Sequence, residues 1–178
     1  DERYFCALPQ VCFSHSFTIL HDVFARTRSA GEVFAHHRAQ FLEGEIATLF
    51  ATNFPCAQMA RGYMWTEEGK KYESDLIVRV DTHLLLIEAK SGAISAAALR
   101  GAPDRMRRHF EEILIAPSIQ SARLATRVEK ALASPAEADN LLPKFPVRLD
   151  GISHILRLSV TLEDFATIQS RMHMLRDA

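Results

Sequence analysis

Apolar residues recur through residues 32–53 at intervals of three, four and seven, at Phe34, Phe41, Leu42, Ile46, Leu49 and Phe50. That spacing predicts a long helix, which Pro55 stops. Residues 1–30 mix helical and strand periods through Phe13, Phe17, Ile19, Leu20, Val23 and Phe24. They read as irregular chain followed by a short helix, an N-terminal extension to a domain filling residues 31–178. Beyond Gly62 the period shortens to two, and strands are predicted over 63–66, 72–80 and 83–90. Glu67-Glu68-Gly69-Lys70 and Asp81-Thr82 lie between them as hairpin turns. In the third strand Leu84, Leu86, Glu88 and Lys90 share one face and Leu85, Ile87 and Ala89 the other, because side chains alternate. Pro103 opens a helix reaching about residue 115. Pro117 begins another with an apolar stripe of Ile119, Ala122, Leu124, Val128 and Leu132. A linker with Pro135, Pro143 and Pro146 leads to a strand over 153–161, carrying Ile155, Leu158 and Val160, and then to a short helix from about residue 162. The predicted order is helix, three strands, helix or helix pair, strand, helix, the order of an α/β domain.

At 178 residues and 48% apolar, the chain has material for one core. No apolar run is long enough to span a bilayer, and no secretion leader opens the chain, so the expectation is a cytoplasmic protein without a membrane partner. Cys6, Cys12 and Cys56 are an odd number without a CxxC pair, which argues against a disulfide framework or a thiolate zinc site and predicts buried free thiols. The start at Asp1 reads as a piece of something longer, compatible with further domains and with an oligomer. A net charge of −1 excludes coating nucleic acid by bulk charge, but not a local patch. Arg100, Arg105, Arg107, Arg108 and His109 face only Asp104 as counter-charge, and form a candidate phosphate-binding surface that competes with an ordinary solvated helix face.

Asp75 stands on one predicted strand and Glu88 ends the next, with a tight turn between, so antiparallel pairing brings the two together. Adjacent carboxylates repel and are costly to bury unless a cation joins them, and Mg²⁺ favours carboxylate oxygen, water and phosphate as ligands. Lys90, one pleat along, can hold a scissile phosphate or an attacking water. A Glu-x-Lys at a strand end is more often a solvated rim. Here it directly follows the apolar run 84–87, which has the character of a central strand, so the charges stand at the edge of a core.

Glu73-Ser74-Asp75-Leu76-Ile77-Val78, followed by Leu85-Leu86-Ile87-Glu88-Ala89-Lys90-Ser91-Gly92, resembles the central hairpin of the PD-(D/E)XK, or restriction-endonuclease-like, nuclease superfamily. The resemblance covers about residues 45–160 and implies that family's αβββαβ core, a central mixed sheet flanked by helices. It implies that Asp75 and Glu88 bind Mg²⁺ or Mn²⁺, that the Ala89 backbone carbonyl adds a ligand, and that Lys90 serves water and phosphate. Ser74 replaces the family's proline before Asp75, as in its divergent branches. The implied activity is metal-dependent hydrolysis of phosphodiester bonds, with DNA ranked ahead of RNA as substrate. The alternative is a catalytically idle nucleic-acid-binding or assembly module on the same fold, and a third reading is a structural domain with an incidental Glu-x-Lys.

Many members carry an acid on the first helix, where Glu43 and Glu45 compete. On a helical wheel Glu45 lies about 60° and Glu43 about 100° from the centre of the apolar group Phe41, Leu42, Ile46, Leu49 and Phe50. Gly44-Glu45 also resembles the start seen in nuclease-related branches, so Glu45 is the expected helper and metal ligand. Gln120 lies where some branches place a glutamine that contacts the site. Ser14-His15, Ser153-His154 and His36-His37 lack the context for a nucleophile or a zinc helix. Tyr63, Trp65 and Tyr72 read as core first and base-stacking second.

Overall fold

The computed structural model describes residues 16–24, 26–92 and 103–162. The chain divides into two compact units, Asp1–Arg38 and Ala39–Ala178. In the first, helix α1 (Ser16–Phe24) leads into helix α2 (Arg28–Asn53). The Phe24 and Phe34 rings lie 4.9 Å apart, and the Arg38 guanidinium stands 5.8 Å from the Phe34 ring centre.

In the second unit α2 ends where Pro55 removes the next backbone donor. The Asn53 side chain donates to the Leu49 carbonyl at 2.7 Å, so a carbonyl of the last turn is satisfied. Strands β1 (Gln58–Glu67), β2 (Lys70–Val80) and β3 (His83–Lys90) follow as an antiparallel meander, and β4 (His154–Thr161) lies parallel to β3. The sheet order is β1-β2-β3-β4, a four-stranded mixed sheet. Both meander connections are two-residue turns; the first is tighter than the four-residue Glu67–Lys70 turn expected, because Glu67 and Lys70 pair as the last rung. Glu68 (φ 49°) and Gly69 (φ 76°) adopt the left-handed pair that matches strand twist, and Asp81 (φ 51°) opens the second.

A parallel strand needs a crossover, and residues 103–141 supply it. Helix α3 (Pro103–Phe110) runs through a π-helical turn (Glu111–Ile115) into helix α4 (Ala116–Ala133), and α5 (Ala138–Leu141) closes the segment. Proline 117 was expected to start a separate helix; instead the helix continues through it. Pro117 has no N–H, and in a regular helix its ring would press on the carbonyl four residues back. The wider turn just before it, closed by Ala116 N–H donating to the Glu111 carbonyl, accommodates this.

The core has two layers. Leu42 and Ile46 of α2 pack on Leu76, Val78, Leu85 and Ile87. On the other layer Leu124, Ala125, Val128 and Ala131 of α4 pack on Tyr63, Trp65, Ile77, Leu84 and Leu86. Two expectations about helix faces need correction. In α2, Phe41 and Leu49 are exposed, so the buried seam is the i, i+4 pair Leu42 and Ile46. In α4, Ile119 is exposed and Ser121 buried, because the face that meets the sheet runs 117, 121, 124, 128. Trp65 and Tyr63 are core residues, as expected. Cys56 is exposed rather than buried, since it sits in the turn after α2; Cys6 and Cys12 lie outside the described residues. The final helix expected from residue 162 also falls outside them. Among the described residues no helix is long and apolar enough to cross a membrane.

Candidate active site

β3 is central, with β2 on one side and β4 on the other, and Leu84 through Glu88 are all buried. A strand covered on both faces reads as an unbroken apolar run, and Glu88 is the first charge to follow it. The pairing of β2 with β3 ends at Leu76↔Ile87. Where the next rungs would form, the Asp75 side chain takes over: its Oδ2 accepts the Ala89 N–H at 2.7 Å and Lys90 Nζ at 3.2 Å.

The strand pattern changes at Asp75. Tyr72, Leu76 and Val78 are all even-numbered, yet Tyr72 packs with the α4 layer while Leu76 and Val78 pack with the α2 layer. On β1 the corresponding step is Gly62, between the pairs Arg61↔Leu76 and Tyr63↔Ser74, with a left-handed φ of 64°. The distortion thus spans both strands and leaves Asp75 reaching sideways to β3. Alanine at Gly62 is expected to cost about 1–2 kcal/mol, because a Cβ disfavours that backbone region. It would also stand 3.1 Å from Glu73 Oε1. Thermal unfolding of Gly62→Ala measures this; a melting temperature equal to the parent's would mean that the left-handed step is not needed.

Glu88 is 1% exposed. Its Oε2 accepts Gln120 Nε2 at 2.9 Å and lies 3.5 Å from Lys90 Nζ, whereas its Oε1 is buried with no hydrogen-bond partner among the described residues. Burial pushes the Glu88 carboxyl up to about 7, and the Asp75 charge adds to the rise; Lys90 and Gln120 oppose it. The same Gln120 amide also donates to the Glu73 carbonyl, so α4 ties β2 and β3 together at the site. One ammonium, on Lys90, therefore touches both carboxylates. The Lys90 carbonyl accepts the Leu162 N–H on the β4 side. By strand alternation the Ala89 carbonyl points the other way, toward β2, where the ladder has ended.

Asp75, Glu88, Lys90, the Ala89 backbone and Gln120 are thus brought together, and Glu45 is not. Glu45 is exposed and lines a shallow groove with Ile46, Thr48, Leu49, Thr52 and Asn53 of its own helix. The reason is the altered seam. With Leu42, Ile46 and Phe50 defining the buried side, the wheel turns so that Glu43 lies about 60° and Glu45 about 100° from its centre. Glu43 is the acid that meets the sheet, pairing with Arg61 at 3.0 Å. Among the described residues no group of three or more His, Cys, Asp or Glu side chains assembles that could hold a metal. A cation here would rest on two carboxylates and a carbonyl.

Of the basic run, Arg100 lies outside the described residues, while Arg105, Arg107 and Arg108 are exposed on α3. The π-helical turn after them reaches the site end of β3, where a Cβ on Gly92 would meet the Ile113 side chain at 3.4 Å. His154, in one of the rejected pairs, stacks on His83 with ring centres 4.8 Å apart. Sequence reasoning missed the Gly62 step, although an isolated glycine in a strand run is a signal for a bulge or close approach. Compared with known families, with curated proteins and with solved structures, the chain finds no match.

Proposed function

We propose that this site is a metal-dependent nuclease centre of the PD-(D/E)XK type, on the αβββαβ core, hydrolysing phosphodiester bonds in DNA. The observation that carries the reading is Glu88: a carboxylate 1% exposed, with Oε1 unpartnered, beside a second carboxylate. A buried acceptor left empty costs about 1–3 kcal/mol, and more when charged, so a site that keeps one has a use for it. The meander followed by a parallel fourth strand supports the same core.

The donor set suits a hard cation. Both contacts to Asp75 fall on Oδ2, which leaves Oδ1; Glu88 Oε1 is free; and strand alternation puts the Ala89 carbonyl on the β2 side of β3, the side on which Asp75 reaches it. Mg²⁺ commonly takes one or two carboxylates and fills its remaining positions with water and substrate phosphate, so two carboxylates and a carbonyl suffice without Glu45. When bound, Mg²⁺ or Mn²⁺ supplies a water of lowered pKa and charge to stabilise the phosphate. The chain's own residues do the rest. Gln120 holds the Glu88 carboxylate in one orientation, the Ala89 N–H does the same for Asp75, and Lys90 presents an ammonium to the attacking water and to charge growing on the phosphate.

A second reading, an idle binding or assembly module, is favoured by one contact set: Lys90 bridges both carboxylates at 3.2 and 3.5 Å and offsets one of their two charges without a metal. Incubation of supercoiled plasmid with the purified protein separates the two. Nicking in Mg²⁺ or Mn²⁺ that stops with a chelator is the expected result. Intact plasmid under every divalent ion would reject the nuclease in favour of the idle module.

A further inference from the structure

One arginine beside this site is held in place but not neutralised. Arg123 lies three residues beyond Gln120 on α4, about 4.5 Å further along the helix and on the same side. Its guanidinium sits 5.3 Å from the centre of the Tyr72 ring, and Nη1 donates to the Tyr72 hydroxyl at 2.8 Å. Tyr72 in turn stacks on Trp65 at 4.7 Å, with Arg127 5.5 Å from the Trp65 ring. Tyr72 immediately precedes Glu73, whose carbonyl is bound by Gln120. Two successive side chains on one face of α4 therefore grip two successive residues of β2, the first at the carboxylates and the second one turn away.

Of the other described arginines of the sheet region, three pair with carboxylates and two donate to backbone carbonyls, and none of them is both exposed and set over an aromatic ring. Arg61 pairs with Glu43, Arg79 and Arg148 pair with Asp150, Arg127 donates to the carbonyls of Leu141 and Thr66, and Arg157 donates to the Ser118 carbonyl. Arg123 has no carboxylate partner among the described residues and is exposed. A guanidinium fixed by an aromatic face and one hydrogen bond keeps its full charge and its remaining donors while losing little further entropy on binding. That is the arrangement that favours a phosphate, which arginine meets with two parallel N–H bonds.

We infer that Arg123, braced by Tyr72, binds a DNA backbone phosphate neighbouring the one at Asp75 and Glu88, and so sets the path of the strand along α4 toward the β1–β2 hairpin. The inference rests on the nuclease reading for its substrate, but concerns binding rather than hydrolysis. Along one strand of a duplex the charges recur every about 3.4 Å of axis, comparable to the rise from Gln120 to Arg123. A strand whose reacting phosphate lies at the carboxylates has its next ones within reach. The contact is to the backbone, so it positions without reading sequence.

Binding of a fluorescent DNA oligonucleotide, single-stranded and duplex, in Ca²⁺ or chelator over a range of salt concentrations tests this apart from cleavage. Arg123→Ala is expected to weaken binding of unrelated sequences alike and to reduce the slope of log K against log salt by about 0.9 on duplex or about 0.7 on single strands. Arg123→Lys should keep the slope but lose affinity, and Tyr72→Phe, which keeps the ring and removes the hydroxyl, should fall between. Arg148→Ala, at the other end of β2 beside Arg79, serves as the control for lost charge alone. An Arg123→Ala protein with parental affinity and slope, or a parent that binds no DNA, overturns the proposal, as does a loss seen equally in Arg148→Ala. Loss on an RNA of the same sequence but not on DNA would reject DNA as the occupant. A parent that binds DNA through Arg123 yet never cuts it would leave this inference standing and sink the hydrolytic reading.

Discussion

Lys90→Ala is expected to cut plasmid DNA about 10²–10³ times more slowly than the parent, the usual loss when one group that stabilises developing charge is removed. Metal binding should survive and tighten. In the protein without a divalent ion the Lys90 ammonium lies 3.2 Å from Asp75 Oδ2 and 3.5 Å from Glu88 Oε2, so its positive charge opposes a cation held on the other oxygens of the same pair. Asp75→Ala should lose both properties, because Asp75 is at once a carboxylate of the pair and the acceptor for the Ala89 N–H. Calorimetry of Mn²⁺ binding beside a nicking assay separates the roles. A Lys90→Ala protein that cuts at the parental rate would mean that the ammonium serves the fold and not the reaction; one that no longer binds Mn²⁺ would mean that it organises the carboxylates rather than competing for them.

Glu88→Gln should make the protein without metal more stable at pH 8 and leave it nearly unchanged at pH 4. The Glu88 carboxyl is pushed from an ordinary value near 4.5 up to about 7 by burial and by Asp75. Between those values the folded state binds the proton more tightly than the unfolded one, so stability is fully present below about 4.5 and is lost as pH rises through 7. Full ionisation then costs on the order of 3 kcal/mol, which the neutral amide avoids. At pH 8 the gain corresponds to roughly 5–10 °C in melting temperature for a domain of this size. Mn²⁺ should remove the difference by stabilising the parent and not the variant, and its affinity for the parent should fall below pH 7, where a proton occupies the site. Thermal melts across pH 4–9, with and without Mn²⁺, measure each part. A parent whose stability stays flat from pH 5 to 8 would mean that the Glu88 environment is wetter than its burial indicates.

The second, third and fourth strands and the turns were legible because their causes are local. By contrast, β1 begins at Gln58 rather than at residue 63, since Gly62 does not end the strand but sits within it at a left-handed step. Alternation in 83–90, the Glu68-Gly69 turn and the Pro55 stop each follow from a few neighbouring side chains, and all occur where expected. The convergence of Asp75, Glu88 and Lys90 was legible for the same reason, since a two-residue turn sets the register between two strands and alternation puts Glu88 and Lys90 on one face. The choice of acid on α2 was not. Composition offered five apolar residues, and only packing decided that Phe41 and Leu49 would face outward, a rotation of the buried seam that brings Glu43 and not Glu45 to the sheet.

What the sequence by itself determined is the order of the elements up to the fourth strand, their periods, and the approach of one carboxylate on β2 to a second carboxylate and a lysine at the end of central β3. These depend on interactions spanning a few residues, so short patterns encode them. What only the tertiary structure decided is how that strand end is completed. Gly62 on β1 accompanies a distortion at Asp75, the Gln120 amide, expected near the site by resemblance, turns out to hold both Glu88 and the Glu73 carbonyl, and Arg123 meets Tyr72. Contacts between segments so far apart in the chain depend on how helices rotate and pack on the sheet, a property of the whole core that no local spacing records.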